Sequence, residues 1–317
     1  MTNNLAVIDL GSNSVRLKIS ELTKDGQAVT KHYEKRYVRL SSQMGPEKIL
    51  KAEPMDRTVA ALRDFRQVCD EYDHGRIVAV ATAAVRQAKN QQEFLDRVQR
   101  ETGFKFRVIT GEQEAYLDYV GVARTLPIDR GIIIDTGGAS MELIAVDNGA
   151  AEETVSIPIG SVTLSQRYQL GDVIKAADLF DAMVEVDEIL SHQRWLNRFR
   201  DTRIVALGGS NRALGKIYRW RNAVDGKAAP IHGLTMSSQT AFGIMHQLVE
   251  ADQATRAQMR GVMKARADVI VGGLLPLLAL MRQLAIDSVS FSNNGLREGI
   301  LFKYVEHAFD MDNLETL

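Results

Sequence analysis

Residues 5–14 read L-A-V-I-D-L-G-S-N-S, and residues 131–140 read G-I-I-I-D-T-G-G-A-S. In each, a short apolar run that suits a buried strand ends on an Asp and enters a turn of Gly and small hydroxyl residues. A further strand follows each turn: Val15, Leu17 and Ile19 alternate with polar residues, and residues 142–146 form the counterpart. Residues 29–38 and 154–159 supply a third strand in each half, so three strands with two short connections predict an antiparallel start, made twice. One plan repeated in one chain predicts an ancient duplication.

Outward from these stretches, helices and strands alternate. Residues 54–72 and 91–101 predict helices, residues 77–81 and 106–109 strands, and a helix opens at Glu112; in the second half long helices surround a strand at 203–207. A chain of 317 residues suits two medium domains, read as residues 1–123, joined by a closing helix over 298–317, and residues 124–297. No low-complexity linker separates them, which predicts a tight interface with a cleft between the domains.

The composition, 45% hydrophobic and 25% charged, is that of a water-exposed globular protein. The formal net charge of −1 gives no general pull toward nucleic acid, so a polyanion would have to be held by a local basic patch. Cys69 is the single cysteine and falls with Phe65, Val68 and Tyr72 on one helix face, which predicts a packed side chain and excludes an intrachain disulfide. The polar start of the chain and the break at Asp9 give no secretion signal, and a cytoplasmic location is expected. The most apolar stretch, residues 269–281, contains Gly272, Gly273 and Pro276 and falls short of the roughly 20 residues a spanning helix needs, so it predicts a buried core helix. The six histidines (32, 74, 192, 232, 246, 307) are too scattered to suggest a metal cluster.

An Asp at a strand end followed by a glycine-rich turn is a way to hold phosphate. Successive backbone N–H groups form an anion-binding nest, and the carboxylate stays close to a magnesium ion or its water. The candidates are Gly11, Ser12, Asn13 and Ser14, and then Gly137, Gly138, Ala139 and Ser140. A third loop, A-L-G-G-S at 206–210, would set Gly208, Gly209 and Ser210 at a helix N-terminus. Arg212, Lys216 and Arg219 follow at i, i+4 and i+7, a basic stripe beside a phosphate loop.

These turns, with G-E-Q-E-A at 111–115, S-I-P-I-G at 156–160, A-L-G-G-S at 206–210 and G-L-R-E-G-I at 295–300, run in order along the chain. In this the sequence resembles the exopolyphosphatase and guanosine pentaphosphate phosphatase family in its short, two-domain form. The resemblance implies an α/β fold of two ribonuclease-H-like domains, of the actin, Hsp70 and sugar kinase superfamily, facing across an interdomain cleft. It implies magnesium, or another divalent cation, as cofactor and hydrolysis of a phosphoanhydride as the reaction. Glu114 resembles the catalytic carboxylate that positions or deprotonates water. Asp135 and Glu142 resemble the metal-binding pair, with Asp9 facing them from the other domain, and Arg16 and Arg266 resemble ligand-binding arginines. Arg297 reads as a pin for the last helix.

The substrate implied first is inorganic polyphosphate, with guanosine pentaphosphate as the alternative and a non-catalytic sensor of guanosine tetraphosphate or polyphosphate as the third reading. No DNA, RNA or membrane partner is expected, and a homodimer stays open. Where the family has three consecutive glycines this chain has Gly137, Gly138 and Ala139, whose methyl would crowd a phosphate if its backbone needed positive φ. The helical domains that follow in longer relatives are expected to be absent after Phe302.

Overall fold

Strand β1 (Asn3–Leu10) is apolar on both faces because both are covered. Ala6, Ile8 and Leu10 point into one core while Leu5 and Val7 point into another. The computed structural model describes residues 3–23, 28–72, 75–223 and 228–306; His74, His307 and the remainder of the expected closing helix, 307–317, lie outside the described residues.

The chain divides into two units, one running to Gly121 and resuming at Leu296, the other spanning Val122–Gly295. In the first, β1 pairs antiparallel with β2 (Val15–Leu22) and β2 with β3 (Ala28–Arg36). On its other edge β1 runs parallel to β4 (Arg76–Ala81), and β4 to β5 (Arg107–Val108), giving the order β3-β2-β1-β4-β5. Helices α1 (Ala52–Glu71) and α3 (Gln91–Thr102) cover one face through Leu62, Phe65, Phe94 and Val98; the four-residue α2 (Ala83–Arg86) precedes α3. Helix α4 (Gly111–Ala123) and the closing helix (Leu296–Val305) cover the other through Leu117 and Ile300. Cys69 is buried, and burial pushes its thiol up to about 11.

The second unit repeats the order. Strands β6 (Gly131–Thr136), β7 (Met141–Asp147) and β8 (Ala150–Ile157) form the antiparallel start, and β9 (Arg203–Gly208) lies parallel to β6. Two short strands complete the sheet, β10 (Thr235–Ser237) and β11 (Ser288–Phe291), in the order β10-β11-β9-β6-β7-β8. Without β10, an added antiparallel edge, β8-β7-β6-β9-β11 matches β3-β2-β1-β4-β5 position for position. Both units therefore carry the ribonuclease-H-like strand order, and the fold is α/β.

The second unit's helices are α5 (Ser161–Arg167), α6 (Ala176–Ser191), α7 (Gly209–Arg221), α8 (Ser238–Glu250), α9 (Gln253–Gln258) and α10 (Ile270–Gln283). Helix α10 is the expected core helix, buried from Ile270 through Met281. Its Gly272 and Gly273 admit neighbours that a methyl would strike: a Cβ on Gly273 would lie 2.2 Å from Ser210 Oγ. Among the described residues no helix is long and apolar enough to cross a membrane. Strands β10 and β11 fall in a region the sequence pattern assigns to helices and loops; at three and four residues they are too short to display a period.

Candidate active site

In the first unit, the D-L-G-S-N-S turn joins β1 to β2 and closes on itself, with Gly11 N–H donating to Ser14 O at 3.1 Å. The tip carbonyls are taken from one side: Ser41 N–H donates to Ser12 O at 2.9 Å and Arg39 N–H to Asn13 O at 3.0 Å. A trans peptide sets its N–H opposite its C=O, so the amides of Asn13 and Ser14 point the other way. Such an arrangement is compatible with an anion-binding nest, although the Gly11 amide serves the turn.

The same sheet brings Glu114 to this edge. Thr82 N–H donates to Leu10 O at 3.1 Å, and α2 then turns so that Arg86 donates through Nη1 to Ile109 O at 2.9 Å and to Glu114 Oε2 at 3.0 Å. Helix α4 starts there because T-G-E-Q makes a capping box, with Thr110 Oγ1 accepting from Gln113 N–H and Gln113 Oε1 from Thr110 N–H. Glu112 points into solvent, whereas the Glu114 side chain is 12% exposed. Glu112 thus sits as a solvated acid in the first turn of α4, whereas Glu114 is drawn out of solvent. Arg86 is the residue the sequence reading missed; its signal was its place just beyond a buried strand parallel to β1, where α/β sheets gather their ligands.

Asp9 and Arg16 are register partners across β1 and β2, and Asp9 Oδ2 accepts from Arg16 Nη1 at 3.0 Å and from Arg297 Nη1 at 2.9 Å. A metal on that oxygen would have to compete with two guanidinium groups. Burial by itself would push the Arg297 pKa down, but Glu298 and Asp9 outweigh it and hold the group protonated. The closing helix is also fixed by Asp118 Oδ1, which accepts from Leu296 N–H at 2.7 Å, and by Lys18 on Glu298 at 3.0 Å. Arg297 is thus the pin expected.

In the second unit the D-T-G-G-A-S turn has the same closure, Gly137 N–H to Ser140 O at 2.9 Å. Its carbonyls are held by the start of α5: Ser161 N–H donates to Gly137 O and Val162 N–H to Gly138 O, both at 2.9 Å. The amides of Gly138 and Ala139 therefore point away from α5. This gives S-I-P-I-G its use, because a Cβ on Gly160 would lie 2.7 Å from the Gly138 carbonyl. Ala139 does not adopt positive φ, so its methyl brings no backbone strain.

The position of the Asp9 and Arg16 pair is filled in this sheet by Asp135 and Glu142, again direct register partners. Two carboxylates directly opposite repel one another, and a divalent cation would turn that repulsion into attraction. Glu142 is buried, with Ser156 Oγ donating to its Oε1 at 2.8 Å. Among the described residues no group of three or more His, Cys, Asp or Glu side chains is placed to hold a metal. The fit is that of a carboxylate pair, which suits magnesium, an ion commonly bound by one or two carboxylates plus substrate oxygens.

The third loop lies beside this turn because β6 and β9 are parallel neighbours, with Thr136 opposite Gly208. Gly208 adopts φ +90°, and a Cβ there would sit 2.4 Å from Thr136 O and 2.7 Å from Asp135 Oδ1. Asn211 ties the two strands, donating through Nδ2 to Thr136 Oγ1 and Leu207 O. Over Gly209 lies the Arg266 guanidinium, so close that a Cβ on Gly209 would be 2.0 Å from Nη2, with Nη1 3.4 Å from Ser210 Oγ. On α7, Ala213, Leu214 and Ile217 are buried while Arg212, Lys216 and Arg219 are partly exposed. Burial, then Arg212, Arg219 and Arg266, push the Lys216 pKa down.

The family model described as the Ppx/GppA phosphatase family matches residues 22–308. An exopolyphosphatase from Cytophaga hutchinsonii is 26% identical over 97% of this chain and 99% of that one, with a TM-score of 0.89. A Ppx/GppA family member from Aquifex aeolicus is 29% identical over 98% of this chain and 100% of its own, with a TM-score of 0.78. A match that runs from the end of β2 past the closing helix leaves neither unit outside it, and the chain belongs to the Ppx/GppA phosphatase family.

Proposed function

We propose that this protein is an exopolyphosphatase, releasing the terminal phosphate of inorganic polyphosphate by magnesium-dependent hydrolysis. The observation that carries the reading is Glu114, drawn out of solvent by Arg86 at the sheet edge that also bears the first phosphate turn. Such a carboxylate is suited to orient a water and accept its proton as it attacks phosphorus, while the turn amides neutralise phosphoryl oxygens. Arg86 holds the carboxylate in one orientation. In the second unit Asp135 and Glu142 would hold the metal, which when bound offsets charge on the phosphoryl oxygens. The Gly138 and Ala139 amides and Arg266 would grip phosphate beside them.

The Lys216 cluster favours polyphosphate over guanosine pentaphosphate. Arg212, Lys216 and Arg219 line the partly exposed face of α7, which begins at the Gly209 loop, and such a row of cations suits an extended anion. Phosphate release from polyphosphate, guanosine pentaphosphate and ATP, measured side by side, tests this. Polyphosphate should be the best substrate; release only from guanosine pentaphosphate would reassign the substrate, and reaction only with ATP would remove the reading. Replacing Arg212, Lys216 and Arg219 together by Ser should weaken long polyphosphate more than guanosine pentaphosphate and flatten the salt dependence of its binding. Equal losses on both would leave the stripe as ordinary surface.

Removing one carboxylate weakens an oxygen-bound hard cation. Asp135→Asn and Glu142→Gln should each shift the magnesium titration of activity to concentrations higher by about tenfold or more. Unchanged titration curves would place the metal elsewhere.

A further inference from the structure

The second unit buries one arginine completely. Arg256, in α9, has no exposed surface, and every acceptor it uses is a peptide carbonyl. Nε donates to Leu248 O at 2.8 Å and Ala251 O at 3.0 Å, at the end of α8. Nη1 reaches Leu170 O at 3.4 Å and Gly171 O at 3.0 Å, in the loop after α5, and Nη2 donates to Asp172 O. The remaining bond runs from Nη1 to Ala267 O at 3.2 Å. Burial lowers the Arg256 pKa while Asp172, Asp252 and Asp268 pull it back up. Burying a cation this deeply is tolerable only when its donors are met, and these donors bind three segments at one point.

The third segment is the one that carries Arg266. It is a single tight turn, with Arg266 N–H on Met263 O at 2.8 Å and Val269 N–H on Arg266 O at 3.0 Å. Ala267, whose carbonyl Arg256 grips, is the next residue along. We propose that Arg256 is a positioning residue: it clamps the turn at 263–269 to the α8 end and the 170–172 loop, and so fixes the Arg266 guanidinium over the Gly209 and Ser210 phosphate loop. This rests on the reading of Arg266 as a phosphate ligand. The clamp needs a planar fork. A lysine keeps the charge but puts its three donors on one atom, which cannot span carbonyls arrayed around a guanidinium.

The test combines kinetics on long-chain polyphosphate with hydrogen exchange. Arg256→Lys should raise KM by about tenfold while kcat falls by less than about threefold, because binding geometry and not the water-orienting group is disturbed. In an Arg266→Ala background the same substitution should leave KM unchanged, since the group it positions is gone. Backbone amides of 264–269 should exchange faster in Arg256→Lys than in wild type, with β6 and β9 unchanged. Additive KM losses in the two backgrounds, or wild-type KM and exchange in Arg256→Lys, would overturn the proposal while leaving the reading of Arg266 in place. Wild-type KM in Arg266→Ala would remove that reading, and the proposal with it. If Arg256→Lys does not fold, wild-type exchange in rising urea decides: residues 264–269 should open together with 170–172, and independent opening at lower urea overturns the clamp.

Discussion

Glu114→Gln is expected to lower kcat by about 10³-fold or more and to leave affinity for polyphosphate within about twofold, since general-base assistance is worth roughly 10²–10⁴ in rate. The substitution preserves the shape of the side chain and one oxygen for Arg86, whose second bond, to Ile109 O, is untouched. What it removes is the charge proposed to orient water. The turns proposed to bind phosphate do not include Glu114, so binding should survive. Steady-state phosphate release alongside calorimetric binding separates the two effects. Turnover at the wild-type rate would show that the catalytic carboxylate is another residue.

Gly208→Ala should damage fold and function together. At φ +90° and ψ 166° the backbone lies in a region essentially reserved for glycine, where an L side chain is strained by about 1–3 kcal/mol before its contacts are considered. The added Cβ would meet Thr136 O at 2.4 Å and Asp135 Oδ1 at 2.7 Å, so relief requires moving β9 against β6 or displacing a proposed metal ligand. We expect a stability loss of about 2–4 kcal/mol by denaturant unfolding, the range of strain at a special backbone position. Activity of the folded fraction should fall by more than about tenfold as Asp135 shifts. Gly243 in α8 is the control: a Cβ there meets nothing within 4 Å, so Gly243→Ala should stabilise by about 0.5–1 kcal/mol with unchanged activity. Equal behaviour of the two variants would mean that neither backbone strain nor close packing constrains position 208.

The two turns were legible because each is local: strand, Asp, glycine and hydroxyl residues are contiguous in the chain, and the repeated plan made each a check on the other. The start of α4 was legible for the same reason, since Thr110 and Gln113 are three residues apart. Arg86 was not, because its meaning comes from Glu114, 28 residues away, and from the parallel pairing of β4 with β1. Asp9 looked equivalent to Asp135 in sequence. The difference lies across the hairpin, where Arg16 faces one and Glu142 faces the other, so one pair is already neutral and the other invites a cation. Arg256 sits in Q-A-T-R-A-Q, which has the composition of a solvated helix face; its burial follows from three distant segments converging on it.

In the proposed reaction water, held by Glu114, attacks the terminal phosphorus. Hydrolysis of polyphosphate in ¹⁸O-labelled water, followed by mass analysis of products from a single turnover, shows where the water oxygen goes. One labelled oxygen is expected in each released orthophosphate, none in the shortened chain, and no dependence on added nucleotide. Unlabelled orthophosphate, label left on the remaining chain, or release only when an acceptor nucleotide is present would contradict it.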